Sequence, residues 1–274
     1  MGSVYRFLDY ELYDPVTPKG RARIAFLSDV FRRILEPIAS RWRGRDCVEA
    51  IDVCCGRGIG AAALVEALRS LGLEPRVTLV DRRREAVEFA ESFVRSELDA
   101  DARSVVMEAE EVYRLGRRFD IAIMAGFSSI HFDPWRMAKL GAAISEVLRD
   151  DGVFIMEEID RLYKYVSRGV KDVSLARIAS GRILIALHEP GDYDPLRGVL
   201  RVVLVDVGSG EMESLELHPW SVGGIAATLW IFFRRVRVVP EDEISYVVAE
   251  EPRRAVRALD IASEEVPIRE EESA

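Results

Sequence analysis

The sequence predicts an α/β protein built on a doubly wound, mostly parallel β-sheet with helices on both faces, and a small antiparallel β insert after the fifth strand. Three observations predict it. Short apolar runs recur at Val48 to Asp52, Val77 to Asp81, Ser104 to Met107, Asp120 to Ala125 and Val153 to Met156. The segments between them carry apolar residues at helical spacing, which is the alternation of a parallel sheet. The first two runs each end in an acid, Asp52 and Asp81, and a glycine-dense turn, Cys54-Cys55-Gly56-Arg57-Gly58-Ile59-Gly60, lies between them.

A chain of 274 residues, 49% hydrophobic and 31% charged, has enough apolar surface for a sizeable core. The net charge of -9 argues against non-specific nucleic-acid binding, which needs clustered positive charge. The three cysteines, Cys47, Cys54 and Cys55, match no zinc-ligand spacing; they read as small buried thiols in a reducing compartment, with no metal site. Residues 1–40 lack the apolar core of a signal peptide, and the apolar run 225–233 is too short to span a bilayer. The expected location is cytoplasmic, away from membranes. Of 38 basic residues only four are lysine, facing 47 acids. Dense arginine–carboxylate pairing of that kind fits a thermophile, and genome base composition explains it equally well.

Taken in order, residues 1–19 form an N-terminal arm with Tyr5, Phe7, Tyr10 and Tyr13. The core spans 20–158. From Gly20 the spacing of Ile24, Leu27, Val30, Phe31, Ile34, Leu35 and Ile38 predicts an amphipathic helix, with Arg21 and Arg23 at its start able to reach a ligand carboxylate. Helices follow the first strand over 61–71 and the second over 83–96. The third strand ends at Glu108-Ala109-Glu110, and the fourth delivers Gly126-Phe127-Ser128-Ser129-Ile130-His131 into a loop. Pro134 starts a helix that closes at Asp150-Asp151-Gly152, and the fifth strand ends in Glu157-Glu158. Over 159–219 the period changes to that of short strands at 183–187, 199–205 and 214–217, with turns at Gly191-Asp192 and Gly208-Ser209-Gly210. The core resumes over 220–251, where Ser221 caps a helix to about Phe233 and two strands, 235–239 and 244–249, form a hairpin. Residues 252–274 read as an acidic, flexible tail.

In an open parallel sheet, ligands sit at the carboxyl ends of the strands, where the connections change side. A dinucleotide site asks for G-x-G-x-x-G around a pyrophosphate. Here the glycines run G-x-G-x-G, and Asp52 stands four residues before the first. A carboxylate aimed at the loop suits an ammonium or sulfonium better than phosphates.

On these residues the chain resembles the class I S-adenosylmethionine-dependent methyltransferases, with their Rossmann-like sheet. Their first motif, (D/E)-x-G-x-G-x-G, corresponds to Asp52 through Gly58, with Cys54 in the first glycine position. The resemblance implies a seven-stranded sheet whose last strand is antiparallel, with S-adenosyl-L-methionine as cofactor and S-adenosyl-L-homocysteine as product. It places Asp52, Cys54, Gly56, Gly58 and Gly60 around the methionine part and Asp81 on the ribose hydroxyls. Arg82, Glu108 and Ala109 would flank the adenine, and Ala125 and Gly126 the end of the fourth strand. In that family an arm before the first strand commonly covers the site, so 1–19 is a lid candidate. Inserts after the fifth strand cap the substrate side or form homodimers.

The Asn/Asp-Pro-Pro-Tyr motif of methyltransferases acting on bases or glutamine is absent. Phe127-Ser128-Ser129 instead is similar to the loop of small-molecule N-methyltransferases. His131 is the candidate catalytic base, with a structural, helix-capping histidine as the rival reading. Tyr10, Tyr13, Ser128, Glu157 and Glu158 join it as candidate substrate contacts, the two acids suiting a cationic acceptor. His188 and His218 receive no role, and Trp220 anchors the returning helix. Methyl transfer from a sulfonium needs alignment and dryness rather than a protein nucleophile. The leading reading is therefore methyl transfer to the amine or hydroxyl of a small molecule. The alternatives are a protein or RNA methyltransferase that docks through the insert, a non-catalytic binder of the same cofactor, and a nicotinamide-dependent oxidoreductase, the last disfavoured by the glycine spacing.

Overall fold

The structure, a computed structural model, describes residues 13–168, 173–177 and 181–262. Helix α1 (Pro18–Leu35) opens the chain. Thr17 caps it by accepting the Gly20 amide at 3.0 Å, and Pro18 supplies the fixed φ of a first helical residue. A 3-10 turn (Glu36–Arg41), which takes up Ile38, leads to β1 (Val48–Val53). There follow α2 (Ile59–Ser70), β2 (Pro75–Asp81), α3 (Arg84–Leu98), β3 (Asp101–Val106), β4 (Phe119–Met124), α4 (Pro134–Val147) and β5 (Leu148–Ile159). Asp133 caps α4 by accepting the Arg136 amide at 2.9 Å.

A short helix, α5 (Arg161–Arg168), connects to β6 (Val173–Arg177), β7 (Ile183–Asp194), β8 (Val199–Asp206) and β9 (Met212–Leu217). The chain then returns through α6 (Val222–Phe232), β10 (Phe233–Glu241), β11 (Ile244–Pro252) and α7 (Ala258–Ala262). Ser221 caps α6, as its sequence position predicts.

The main sheet has seven strands in the order β10-β11-β5-β4-β1-β2-β3. β3 through β5 run parallel, and β11 is antiparallel to both β5 and β10. Alternate side chains of each central strand enter opposite halves of the core: Ala50, Ile121 and Ile123 pack under α1, α2 and α3, while Ile51, Ala122 and Met124 pack under α4 and α6. The seven-stranded sheet with its antiparallel strand, and the separate antiparallel sheet after β5, agree with the expectation from sequence. Among the described residues no helix is long and apolar enough to cross a membrane.

Four local expectations are corrected. The predicted turn at Asp150-Asp151-Gly152 lies inside β5. There the ladder slips: Phe119 of β4 faces Leu148 and Ile121 faces Val153, so residues 149–152 bulge out of the pairing, where Arg45 meets Asp151 at 2.7 Å and Arg254 meets Asp150. Gly191-Asp192 lies within β7; the reversal falls after it, where Asp194 accepts the amides of Leu196 and Arg197 and Gly198 turns at φ +61°. The insert is four-stranded, in the order β6-β7-β8-β9, and is preceded by a helix the sequence period did not show. The tail is docked as far as Ala262: Ala258 is buried and its amide donates to Glu146 at 3.0 Å. Residues 263–274 lie outside the described residues.

Candidate functional site

Strand order reverses at β1, whose neighbours are β2 on one side and β4 on the other. A cavity of about 470 Å³ opens there, at the carboxyl ends of these strands. Its volume falls within the roughly 300–1,000 Å³ common to small-molecule sites.

The glycine-dense turn forms the floor. Cys54, Gly56 and Gly58 all take the left-handed conformation, at φ +59°, +54° and +91°. Cys54 thus occupies a glycine position in conformation as well as in the motif, at a cost of order 1 kcal/mol or more. The turn is tied to β2 by the Cys55 amide on the Val80 carbonyl at 3.0 Å and the Gly56 amide on Asp81 Oδ2 at 2.9 Å. Burial raises both thiols well above their ordinary range, which keeps them neutral. Gly58 does not face the cavity. A Cβ on it would meet the Cβ of Ala90 at 3.0 Å, so it serves close packing of the turn on α3.

Gly60 does face the cavity, and a Cβ there would lie 3.0 Å from Asp52 Oδ2 and 2.9 Å from the Cβ of Ala125. Asp52 lines the cavity, is fully buried, and neither of its oxygens has a hydrogen-bond partner among the described residues. Burial holds its carboxyl well above the usual carboxylate range; the Ala61 amide offsets part of this without reaching hydrogen-bond geometry. A buried, unpartnered carboxyl beside a space that admits no Cβ is costly unless a ligand donor fills it.

Across the floor, Asp81 Oδ1 accepts the Arg83 amide at 2.9 Å, and the Arg83 guanidinium closes over the same carboxylate at 3.1 and 3.3 Å. Arg82, Glu108 and Ala109 line the adjoining wall with Met107. Arg136 bridges that wall to the neighbouring loop: its guanidinium meets Glu110 and Glu108 and donates to the His131 carbonyl at 3.2 Å.

Ala125 and Gly126 border the other side, followed by Phe127, Ser128 and His131. Phe127 has φ +60°, unusual for a bulky residue, and its ring lies under the Arg23 guanidinium at 5.3 Å. His131 ends a 3-10 turn (Ser128–His131). Burial first, then the charges of Arg82, Arg161, Arg136 and Arg83, lower its pKa to about 4, leaving a neutral imidazole.

Glu157 and Glu158 do not line the cavity, which corrects their expected role as substrate contacts. Both are fully buried. Glu157 accepts Tyr246 Oη at 3.1 Å and the Gly126 amide at 2.8 Å and pairs with Arg23; Glu158 pairs with Arg161 and accepts the Ile159 amide. It is Arg23 and Arg161, held from behind by these acids, that reach the cavity. Arg21 instead pairs with Glu97 on the surface.

The four-stranded sheet makes the far wall. Ala186 and His188 of β7, Val202 and Leu204 of β8, and Leu215 and Leu217 of β9 point inward at the two-residue period of a strand. His188, expected to have no role, lines the cavity against Tyr165, with ring centroids 6.2 Å apart. The insert is locked to the core where the His218 amide donates to the Ile130 carbonyl at 2.9 Å and Trp220 Nε1 to the Phe132 carbonyl at 2.8 Å. Trp220 therefore anchors the loop of His131 as well as the returning chain. Tyr13 lines the cavity, and Asp14 pairs with Arg57 of the glycine turn at 3.2 Å. Tyr10 and the rest of 1–12 lie outside the described residues. Arg161, Tyr165, Arg136 and Arg83 are additional lining residues; only the order of elements, which puts strand ends and the insert together, pointed toward them.

Residues 50–152 match the family model of a methyltransferase domain. The PH0226 protein of Pyrococcus horikoshii OT3 has the same fold at 18% identity, over 92% of this chain and 99% of that one, with a TM-score of 0.61. An S-adenosylmethionine-dependent methyltransferase of Clostridium acetobutylicum ATCC 824 aligns at 16% identity over 81% and 92%, with a TM-score of 0.58. The CcbJ methyltransferase of Streptomyces caelestis aligns at 12% identity over 85% and 96%, with a TM-score of 0.59. No curated protein matches the chain in sequence.

Proposed function

We propose that the chain, whose residues 50–152 match a methyltransferase domain, is a class I S-adenosylmethionine-dependent methyltransferase that moves a methyl group to the amine or hydroxyl of a small molecule. The observation that carries this reading is Asp52: a buried carboxyl facing the cavity with both oxygens unsatisfied. The ammonium of the cofactor's methionine part supplies the missing donors. Arg23, which lines the same cavity, suits the carboxylate of that part. Gly56 and Gly60 allow the close approach, and Asp81 takes the ribose hydroxyls, with the Arg83 guanidinium giving way to them. Arg82, Glu108 and Ala109 border the adenine.

S-adenosyl-L-methionine supplies a methyl group on a sulfonium, already bonded to a good leaving group. The chain's own part is to orient the acceptor and exclude water. The insert sheet forms a wall that favours a small acceptor over a polymer. Ser128 and His131, which line the same cavity, are the side chains that suit the acceptor's nucleophilic atom. The imidazole, neutral with its pKa lowered to about 4, would accept a hydrogen bond from the acceptor's hydroxyl or amine and so aim the lone pair; it is too weak a base to remove the proton ahead of attack, and its part is orientation.

Calorimetric titration of the full chain tests the cofactor assignment: S-adenosyl-L-homocysteine binds and a nicotinamide dinucleotide does not. Incubation with methyl-labelled cofactor and a cell extract tests the acceptor. Label in the small-molecule fraction agrees with this reading. Label in protein or RNA moves it to the docking alternative, and no label at all points to a non-catalytic binder.

A further inference from the structure

The two halves of the cavity differ in charge. The acids that line it, Asp52, Asp81 and Glu108, all belong to the half assigned to the cofactor. The charges that act on His131 are all cationic, Arg82, Arg161, Arg136 and Arg83; of these Arg136 is paired with Glu108 and Glu110 and Arg83 with Asp81, on the cofactor side, while among the described residues Arg161 is paired only from behind, with Glu158. The nearby acids face elsewhere. Asp160 caps α5 and α6 by accepting the amides of Tyr163 and Val222, and Asp133 accepts Arg136 N and pairs with Arg197.

Arg161 is mostly buried, with its guanidinium paired to Glu158 behind it and Nη2 3.4 Å from the Phe127 carbonyl. Its fork is thus fixed at the edge of the acceptor space before anything binds. A preorganised guanidinium in a partly desolvated wall suits a carboxylate, and it repels an ammonium. The same cavity is lined by Val202, Leu204, Leu215 and Leu217, alternate apolar residues of β8 and β9.

We propose that the acceptor is an amphipathic acid: its anionic group meets Arg161 beside His131, and its apolar body lies on the inner face of the insert sheet. This rests on the methyltransferase reading of the site and narrows its substrate class. The positive surroundings act in the same direction on an acceptor hydroxyl, because they favour loss of its proton.

Three probes of matched shape test it: 3-phenylpropionate, 3-phenylpropanol and 3-phenylpropylamine, titrated calorimetrically into the full chain saturated with S-adenosyl-L-homocysteine. The acid is expected to bind at least tenfold more tightly than the alcohol, with the amine weakest. Because Arg161→Met alone strands the buried Glu158, the double variant R161M/E158Q removes both charges together. It should bind S-adenosyl-L-homocysteine as the parent does and lose the preference for the acid. An amine that matches or exceeds the acid, a preference that survives in the double variant, or no binding of any probe would overturn the proposal. Failure of S-adenosyl-L-homocysteine itself to bind is a separate result; it removes the methyltransferase reading and this inference with it.

Discussion

Glu157 holds Gly126 by its amide at 2.8 Å, and through that bond the buried end of β5 sets the loop that carries Ser128 and His131. The same carboxylate takes the Tyr246 hydroxyl and pairs with Arg23 of α1. One side chain therefore fixes the relative positions of the first helix, the strand next to β5 and the acceptor loop.

Glu157→Ala should consequently be destabilising by about 3–5 kcal/mol, because it strands the Arg23 charge and two hydrogen-bond donors. Urea unfolding measures this. A loss under about 1 kcal/mol would show that the three partners find water instead, and that the carboxylate does not organise the loop.

Asp81→Ala should weaken S-adenosyl-L-homocysteine binding by about 1.5–3 kcal/mol, the range for hydrogen bonds to a charged group. Arg83→Met should do the reverse and tighten it by severalfold, since the Arg83 guanidinium occupies the carboxylate that the ribose requires. Calorimetry on both variants gives opposite signs if the two compete for one site. Equal weakening would make Arg83 a ligand contact in its own right.

Gly60→Ala should weaken cofactor binding at least tenfold and cost about 1–3 kcal/mol of stability, with the overall fold retained. The added methyl lies against Asp52 Oδ2 and Ala125 and intrudes on the space between them. Circular dichroism and a binding titration together check it, and a variant that binds normally would remove Asp52 from the cofactor site.

His131→Asn should lower turnover and leave cofactor affinity nearly unchanged. It should also alter the pH dependence of stability. His131 has its pKa lowered from 6.5 to about 4 in the fold, so the parent loses stability as pH falls through that window, by up to about 3 kcal/mol. Glu158 has its pKa raised from 4.5 to about 7, mainly by burial, and acts oppositely: its contribution is lost as pH rises from 4.5 to 7. The two oppose each other in the parent. Removing His131 removes its opposing share, so on lowering the pH from 7 to 5 the melting temperature of the variant should fall less, or rise more, than that of the parent. An unchanged profile would mean that the fold leaves the His131 pKa where the unfolded chain has it, as for a solvated imidazole.

The parts of the site that follow from local pattern were legible in the sequence. An acid that ends a strand lands at the crevice by geometry alone, and Asp52 and Asp81 both line the cavity there, while Cys54 takes the left-handed backbone of a glycine position. Glu157 and Glu158 also end a strand, yet they point into the body of the protein. Their direction depends on Tyr246 and Arg23, which come from segments distant in the chain, and no local period carries that information. Gly191-Asp192 misled for a similar reason. Asp194 and Gly198 offer a second turn a few residues on, and pairing with β8 decides between the two. Arg161 was illegible because α5 is a short helix between strands, and its value lies in what stands behind it.

The inward-facing residues of β8 and β9 belong to a sheet that shares no strand with the seven-stranded core. Exchanging Val202, Leu204 or Leu215 for bulkier or more polar neighbours reshapes what this enzyme accepts without touching the hydrogen-bond ladder that keeps the main body folded. On the proposed reading, the choice of acceptor is set largely by a wall that can be altered residue by residue while the sheet beneath it keeps its pairing.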